Sequence, residues 1–248
     1  MGQNKSNEDQ QALDEFVGQG LITEVLGTVK SGKEATVFCC AAAPAIGASF
    51  LAAKVYRTRD VRGFSNDAAY NAGRLRQKQR RETRAILNKS SFGRQESFAK
   101  WVADEYETLE LLHRGGCAVP RPFAQSQRVI IMEYIGDERA PAPALSTVHL
   151  DRCAARQAFD AVMRNVELAL ACDRIHGDLS AYNVLYHDGD IRIIDFPQAV
   201  DARFNPNALD LLERDLANVC GFFARRGVNA DPHRIARTLW ARYIRSEL

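Results

Sequence analysis

The segment His176-Gly177-Asp178-Leu179-Ser180-Ala181-Tyr182-Asn183 and the nearby Ile193-Ile194-Asp195-Phe196 carry the strongest signal in the sequence. Between them, Val184 to His187 is a short apolar-leaning run, Asp188-Gly189 is a two-residue hairpin turn, and Asp190 to Ile194 returns as a β-branched strand. The turn folds the second strand back along the first, so Asp195 is expected to come to rest near Asn183. Asn and Asp oxygens suit magnesium, which keeps several waters and takes its other ligands from phosphates. Asp178 lies one loop away, placed to orient a hydroxyl or a water. An Asp, an Asn five residues on and a second Asp after a strand form the layout of a kinase-type phosphotransfer site. A surface turn Asp beside a structural Asn is the plainer reading of any one of these residues, but not of all three at this spacing.

The chain's 248 residues fit two small lobes around a cleft. A formal net charge of +2 gives no bulk argument for nucleic acid. The six cysteines (Cys39, Cys40, Cys117, Cys153, Cys172, Cys220) form no C-x-x-C pair. They read as buried small apolar residues in a reducing compartment rather than a zinc site or disulfide framework. The N-terminus lacks the apolar core of a signal peptide, and no apolar run approaches the roughly 20 residues of a membrane span. These features point to a cytoplasmic location.

A helix is expected over 8–17, then strands at Ile22 to Val29, Ala35 to Ala41 and Phe50 to Tyr56. Residues 57–100 hold twelve Lys or Arg against four Asp or Glu. This basic insertion, mobile over about 57–95, has one helical stretch from Leu75 to Asn88. A helix from Glu96 to His113 turns Phe98, Val102, Glu105, Leu109 and Leu112 to one face and stops at Gly115-Gly116. Arg121 to Gln125 and Arg128 to Tyr134 read as a strand pair, and a proline-rich linker follows. Leu150 to Cys172 is a long helix with Phe159, Val162, Val166 and Leu170 inward. Two more helices close the chain: Ala208 to Phe223, capped by Asn207, and Pro232 to Arg245, capped by Asp231. The order gives an α+β fold. Residues 1–135 form a strand-rich, nucleotide-binding lobe and 136–248 a helical, catalytic lobe.

Lys54 lies inside the apolar strand Leu51 to Tyr56, where its charge needs a partner. In a kinase-like lobe it meets the α- and β-phosphates and a Glu of the next helix. Glu105 is the first choice, with Glu107 and Glu110 as alternatives. Gly27 to Glu34 nearly spells G-x-x-x-x-G-K-[ST], but Glu34 stands where a magnesium-binding hydroxyl is needed. A strand–turn–strand loop over phosphates fits better. Gly32, Ala35 and Val37 then take places in G-x-G-x-x-G-x-V, and backbone N–H groups around Ser31-Gly32-Lys33 cup a phosphate. Met132-Glu133-Tyr134-Ile135 reads as the hinge, with backbone groups of Glu133 and Ile135 on adenine and Met132 at the back of the pocket. An edge strand with a core Met is the alternative.

Together these segments resemble the RIO family of atypical serine protein kinases, from about Ile22 to Phe223. The specific pieces are Ser31-Gly32-Lys33-Glu34-Ala35-Thr36-Val37-Phe38, the His176 to Asn183 loop, and Ile194-Asp195-Phe196-Pro197-Gln198-Ala199-Val200. Phe-Pro-Gln after the metal Asp is the sharpest of them. The wording is nearest the first subfamily, which has no winged helix. The resemblance implies a two-lobed kinase-like fold without an activation loop. It implies ATP and magnesium (manganese as a substitute), with Asn183 and Asp195 on the metal. It further implies Asp178 and Asp195 as catalytic residues, and Ser31, Gly32, Lys33, Ala35, Val37, Lys54, Glu105, Met132, Glu133, Ile135 and Asn183 at the nucleotide. Family members autophosphorylate serine, and some act as ATPases through an aspartyl-phosphate, here on Asp195. They are linked to ribosome maturation, so a ribosomal or RNA contact through 57–100 is one reading of that segment. Autophosphorylation at Ser90 or Ser91, or a solvated loop, are the others. Arg214-Asp215 matches a position where the Asp braces the catalytic loop; an exposed helix residue is the equal alternative.

Two other readings remain. Aminoglycoside- and choline-type phosphotransferases also use H-G-D, Asn and I-D-F, but need a larger helical region after the metal Asp than the 53 residues here. A non-catalytic nucleotide-binding scaffold is disfavoured by the intact Lys54, Asp178, Asn183 and Asp195.

Overall fold

The computed structural model describes residues 2–57 and 91–248. The expected helix from Leu75 to Asn88, Ser90 and most of the basic insertion lie outside them. The chain divides into two compact units. One contains the N-terminal elements as far as β3, the following helix up to Tyr106, and Arg121–Tyr134. The other contains Glu107–Pro120 and Ile135–Leu248.

The first unit is a five-stranded antiparallel sheet. Its strands are β1 (Ile22–Ser31), β2 (Ala35–Ala42), β3 (Phe50–Tyr56), β4 (Pro122–Gln125) and β5 (Val129–Glu133), in the order β1-β2-β3-β5-β4. Strand β3 is buried from Leu51 to Tyr56 because a helix covers each face of it. Helix α1 (Gly2–Gly18) sets Leu13 and Phe16 against Leu51, Ala53 and Val55, with Ile22, Cys40, Val129 and Ile131 completing that layer. Since side chains alternate along a strand, Lys54 and Tyr56 point the other way, toward helix α2 (Ser91–Arg114). Helix α1 begins earlier than expected, and α2 starts at Ser91, inside the stretch read as mobile. Both end on glycines with positive φ, Gly20 at 69° and Gly116 at 78°.

In the second unit, α3 (Arg152–Ala171) opens on Asp151, whose carboxylate accepts from Ala154 N. It buries Phe159, Val162, Val166 and Leu170, as the spacing predicts. Strands β7 (Val184–His187) and β8 (Asp190–Ile193) form the expected hairpin. Asp188 and Gly189 both have positive φ, 51° and 89°, as a type I′ turn demands. A two-residue pair, β6 (Arg174–Ile175) with β9 (Val200–Asp201), has no sequence signal and brackets the whole loop region. Helix α4 spans Ala208–Ala224 and α5 spans Pro232–Ile244. Asp231 caps α5 by accepting from His233 N and Arg234 N. Asn207 does not cap α4: it occupies the cap position, but its side chain makes no capping bond, and its own N–H is taken by Asn205 Oδ1 at 2.8 Å.

Cys40, Cys117 and Cys220 are buried as expected, but Cys39 and Cys172 are half-buried and Cys153 is exposed on the first turn of α3. Among the described residues no helix is long and apolar enough to cross a membrane.

Candidate active site

Lys54 Nζ donates to Glu105 Oε1 at 2.7 Å, and both residues are under one-tenth exposed. Glu107 is exposed and Glu110 is engaged with Arg114 on the surface, so of the three candidate partners the structure selects Glu105. A buried ion pair loses hydration on both sides and persists only where the remaining donors and acceptors are satisfied. Here Tyr56, which sequence reasoning missed, completes the group. Its hydroxyl donates to Glu105 Oε2, and Lys54 Nζ stands 4.9 Å from its ring centre. Tyr56 is fully buried, edge-on to Trp101 at 4.9 Å. Burial, reinforced by the Glu105 charge, pushes its pKa well above the ordinary phenol value, which keeps the proton on the donor. The signal was present in the sequence, since Tyr56 lies two residues from Lys54 and must share its face.

The turn between β1 and β2 has the expected strand–turn–strand form, closed by Gly32 N to Ala35 O at 2.9 Å. Ser31, Gly32 and Lys33 are exposed on it, Ala35 is buried, and Val37 stands directly opposite Lys54 in the β2–β3 register. Arg57 holds the turn from the other face of the sheet, through Ser31 Oγ at 2.7 Å and Thr36 Oγ1 at 3.1 Å. Met132 and Glu133 close β5, where Glu133 donates its N–H to Arg121 O. Ile135 belongs to the second unit, and its carbonyl accepts from Ala142 N.

The second cluster is built on the loop from His176 to Asn183. Asp215, on α4, is 2% exposed and accepts from Gly177 N at 2.8 Å and from Leu179 N at 2.9 Å. The brace reading of Asp215 is therefore the structural one. Burial raises the Asp215 pKa above the usual carboxylate range, while His176, the two N–H donors and Arg214 pull it back. Arg214 donates to Gly177 O, and Asn218 Nδ2 to Leu179 O at 3.2 Å. Three residues of one helix thus hold the backbone on both sides of Asp178, whose own side chain is exposed.

The same loop is tied to Asp195. His176 lies against the Phe196 ring at 4.9 Å, and its Nε2 is 3.1 Å from Ile194 O. Its Nδ1 accepts from Asp178 N at 3.3 Å, so Nε2 carries the hydrogen toward Ile194. Gly177 has φ 77°, and a Cβ there would come within 2.5 Å of Gln198 O. No side chain fits between the loop and the Phe196-Pro197-Gln198 segment.

Asn183 and Asp195 come together as the hairpin predicts, with Ile194 N bonding Asn183 O at 2.9 Å. Asn183 Nδ2 is committed to Asp178 O at 2.9 Å, which turns the amide oxygen outward. Asp195 is exposed, at φ 72°, a conformation costly for a side-chain-bearing residue. One amide oxygen and one carboxylate suit a hard cation such as magnesium, so the residues fit the ion.

A sheet lobe with a buried Lys–Glu pair, followed by a braced H-G-D loop and a hairpin to a second Asp, defines a protein-kinase-like α+β fold. Comparison with known proteins narrows it. The RIO domain model matches residues 36–235. The RIO-type serine/threonine-protein kinase Rio1 of Haloferax volcanii is 32% identical over 222 residues, covering 89% of this chain and 70% of that protein. Rio1 of Thermoplasma acidophilum is 32% identical, over 76% of this chain and 92% of its own length. Human serine/threonine-protein kinase RIO1 is 33% identical, but the chain spans only 36% of it. Among solved structures, the Rio2 kinase–ADP/Mg2+–phosphoaspartate complex of Chaetomium thermophilum matches with a TM-score of 0.65 at 22% identity, covering 92% of this chain and 65% of that one. The chain belongs to the RIO family of serine/threonine protein kinases.

Two substitutions probe the braces. Tyr56→Phe keeps the ring and leaves Glu105 Oε2 short of a donor. It should lower unfolding stability by about 1–3 kcal/mol, read from a urea titration, and raise the KM for ATP. Asp215→Asn turns an amide N–H₂ toward one of the two loop N–H groups. Misplacement of this kind costs on the order of 10²-fold in kcat, and steady-state kinetics should show it with little change in the KM for ATP.

Proposed function

We propose that this chain transfers the γ-phosphoryl group of ATP, with magnesium, to a protein hydroxyl, its own or another chain's, in the cytoplasm. The observation that carries the reading is the loop around Asp178: a backbone fixed on both sides by Asp215, with one exposed carboxylate left to align an acceptor. Asp178 accepts the acceptor's proton as the new bond forms. Lys54, held by Glu105, presents its ammonium to the α- and β-phosphates. Ser31, Gly32 and Lys33 line the phosphate turn, with Ala35 and Val37 beneath it, and Met132, Glu133 and Ile135 bound the adenine. Asn183 and Asp195 hold the metal through their oxygens. Magnesium, when bound, offsets charge on the transferring phosphates, and manganese serves in its place. On this reading residues 1–135 bind the nucleotide and 136–248 carry the catalysis, which is mostly placement and electrostatics.

One observation favours a second mode. Asp195 is exposed in a strained conformation, and the Rio2 relative of similar fold was solved as a phosphoaspartate complex. In an ATPase cycle Asp195 itself takes the phosphoryl group and water releases it.

Incubation with γ-labelled ATP tests both. Asp178→Ala should lose labelling by 10²-fold or more, in the range general-base removal produces (about 10²–10⁴), while still binding nucleotide. Equal labelling of the variant and wild type rules out the role given to Asp178. Label on serine survives hydroxylamine and label on Asp195 does not. Asp195→Ala should abolish the magnesium-dependent rise in melting temperature with ATP; an unchanged rise removes Asp195 from the metal.

A further inference from the structure

In the loop from His176 to Asn183 only two residues are exposed, Asp178 and Tyr182. Tyr182 is 69% exposed, the most exposed of the large apolar side chains in the described residues. The backbone that carries it is fixed. Asn183 N bonds Ser180 O at 3.0 Å, closing a turn with Ala181 and Tyr182 at its tip, and Ser146 N bonds the Ala181 carbonyl at 3.0 Å. Asn183 Nδ2 bonds Asp178 O, which closes the loop into a ring from Asp178 to Asn183. The residues flanking Tyr182, Ala181 and Asn183, are both buried, as is Leu179.

A tyrosine ring offers about 150–250 Å² of surface. On a mobile loop, covering that surface would be opposed by the cost of ordering the backbone. On this loop the backbone is already ordered, so a partner gains the contact with only the ring's own freedom to lose. Tyrosine is enriched in recognition surfaces because it combines an apolar face with a polar tip. The direction is informative too. Asn183, the metal-side residue, is buried, whereas Tyr182 emerges on the same rigid ring as Asp178, the acceptor-side residue.

We infer that Tyr182 is a specificity-determining residue on the acceptor side, an aromatic platform against which the polypeptide flanking the acceptor hydroxyl packs. This rests on the kinase reading above. It goes further in making acceptor recognition depend on a ring built into the catalytic loop. A chain segment, rather than a small polar acceptor, is the occupant that can cover an area of this size while its hydroxyl reaches Asp178.

The test uses the full chain, dephosphorylated casein as the probe acceptor, and γ-labelled ATP. Tyr182→Ala should raise the KM for casein about tenfold, with kcat within about twofold and the KM for ATP unchanged. Tyr182→Phe, which keeps the ring, should behave as wild type. An unchanged casein KM in Tyr182→Ala overturns the inference. So does a parallel rise in the KM for ATP or a lowered melting temperature, which would mark the ring as structural. A Phe variant as impaired as the Ala variant overturns packing as the mode of contact. Wild-type protein that turns over no ATP defeats the kinase reading itself, and this inference with it. Normal wild-type transfer with an indifferent Tyr182→Ala defeats this inference alone.

Discussion

The arrangement of the catalytic loop depends on one buried carboxylate. Asp215 is taken out of water on α4 and compensated by two loop N–H groups, one on each side of Asp178. Hydrogen bonds to a charged acceptor contribute about 1.5–3 kcal/mol each, and a buried charge stripped of them is strongly destabilising. The loop and the helix therefore cannot separate without exposing both the charge and its donors. The Asp178 side chain itself is exposed beside this fixed backbone.

The sheet lobe solves a related problem by the opposite means. Lys54 and Glu105 neutralise each other, and Tyr56 takes the carboxylate oxygen that Lys54 leaves. Lys54 and Tyr56 are presented by a strand that a helix covers on either side, and Glu105 by one of those helices. Because β3 alternates, the same strand supplies Ala53 and Val55 to the α1 layer and Lys54 and Tyr56 to the α2 layer. A slip of one residue in register would drive the ammonium into the apolar layer, so the hydrophobic pattern enforces the position of the charge.

Much of this was legible in the sequence because it is local. The hairpin between Asn183 and Asp195 followed from Asp188-Gly189 and the α5 start from Asp231-Pro232, while Glu105 was the first of three candidates for Lys54 in a kinase-like lobe. The RIO family followed from three short segments. What escaped depends on contacts distant in sequence. Asp215 reads equally well as a surface helix residue until α4 is laid on the loop. The β6–β9 pair is two residues long and has no pattern to detect. Asn207 has the right residue type for a cap and occupies the cap position, but its side chain makes no capping bond. Tyr56 was within reach of the strand argument, which singled out the charge and passed over the phenol beside it.

The contact between Gly177 and Gln198 has a wider implication. With no atom to spare between them, and with His176 tilted against Phe196 and bonded to Ile194 O, the two loops that bear Asp178 and Asp195 are tied to each other. A rearrangement that swings the Asp195 segment outward while the neighbouring loop stays put would break the His176 bond to Ile194 O and its contact with Phe196, and would leave a gap at Gly177. A displacement of either aspartate's loop is therefore passed to the other through Gly177, Gln198 and His176.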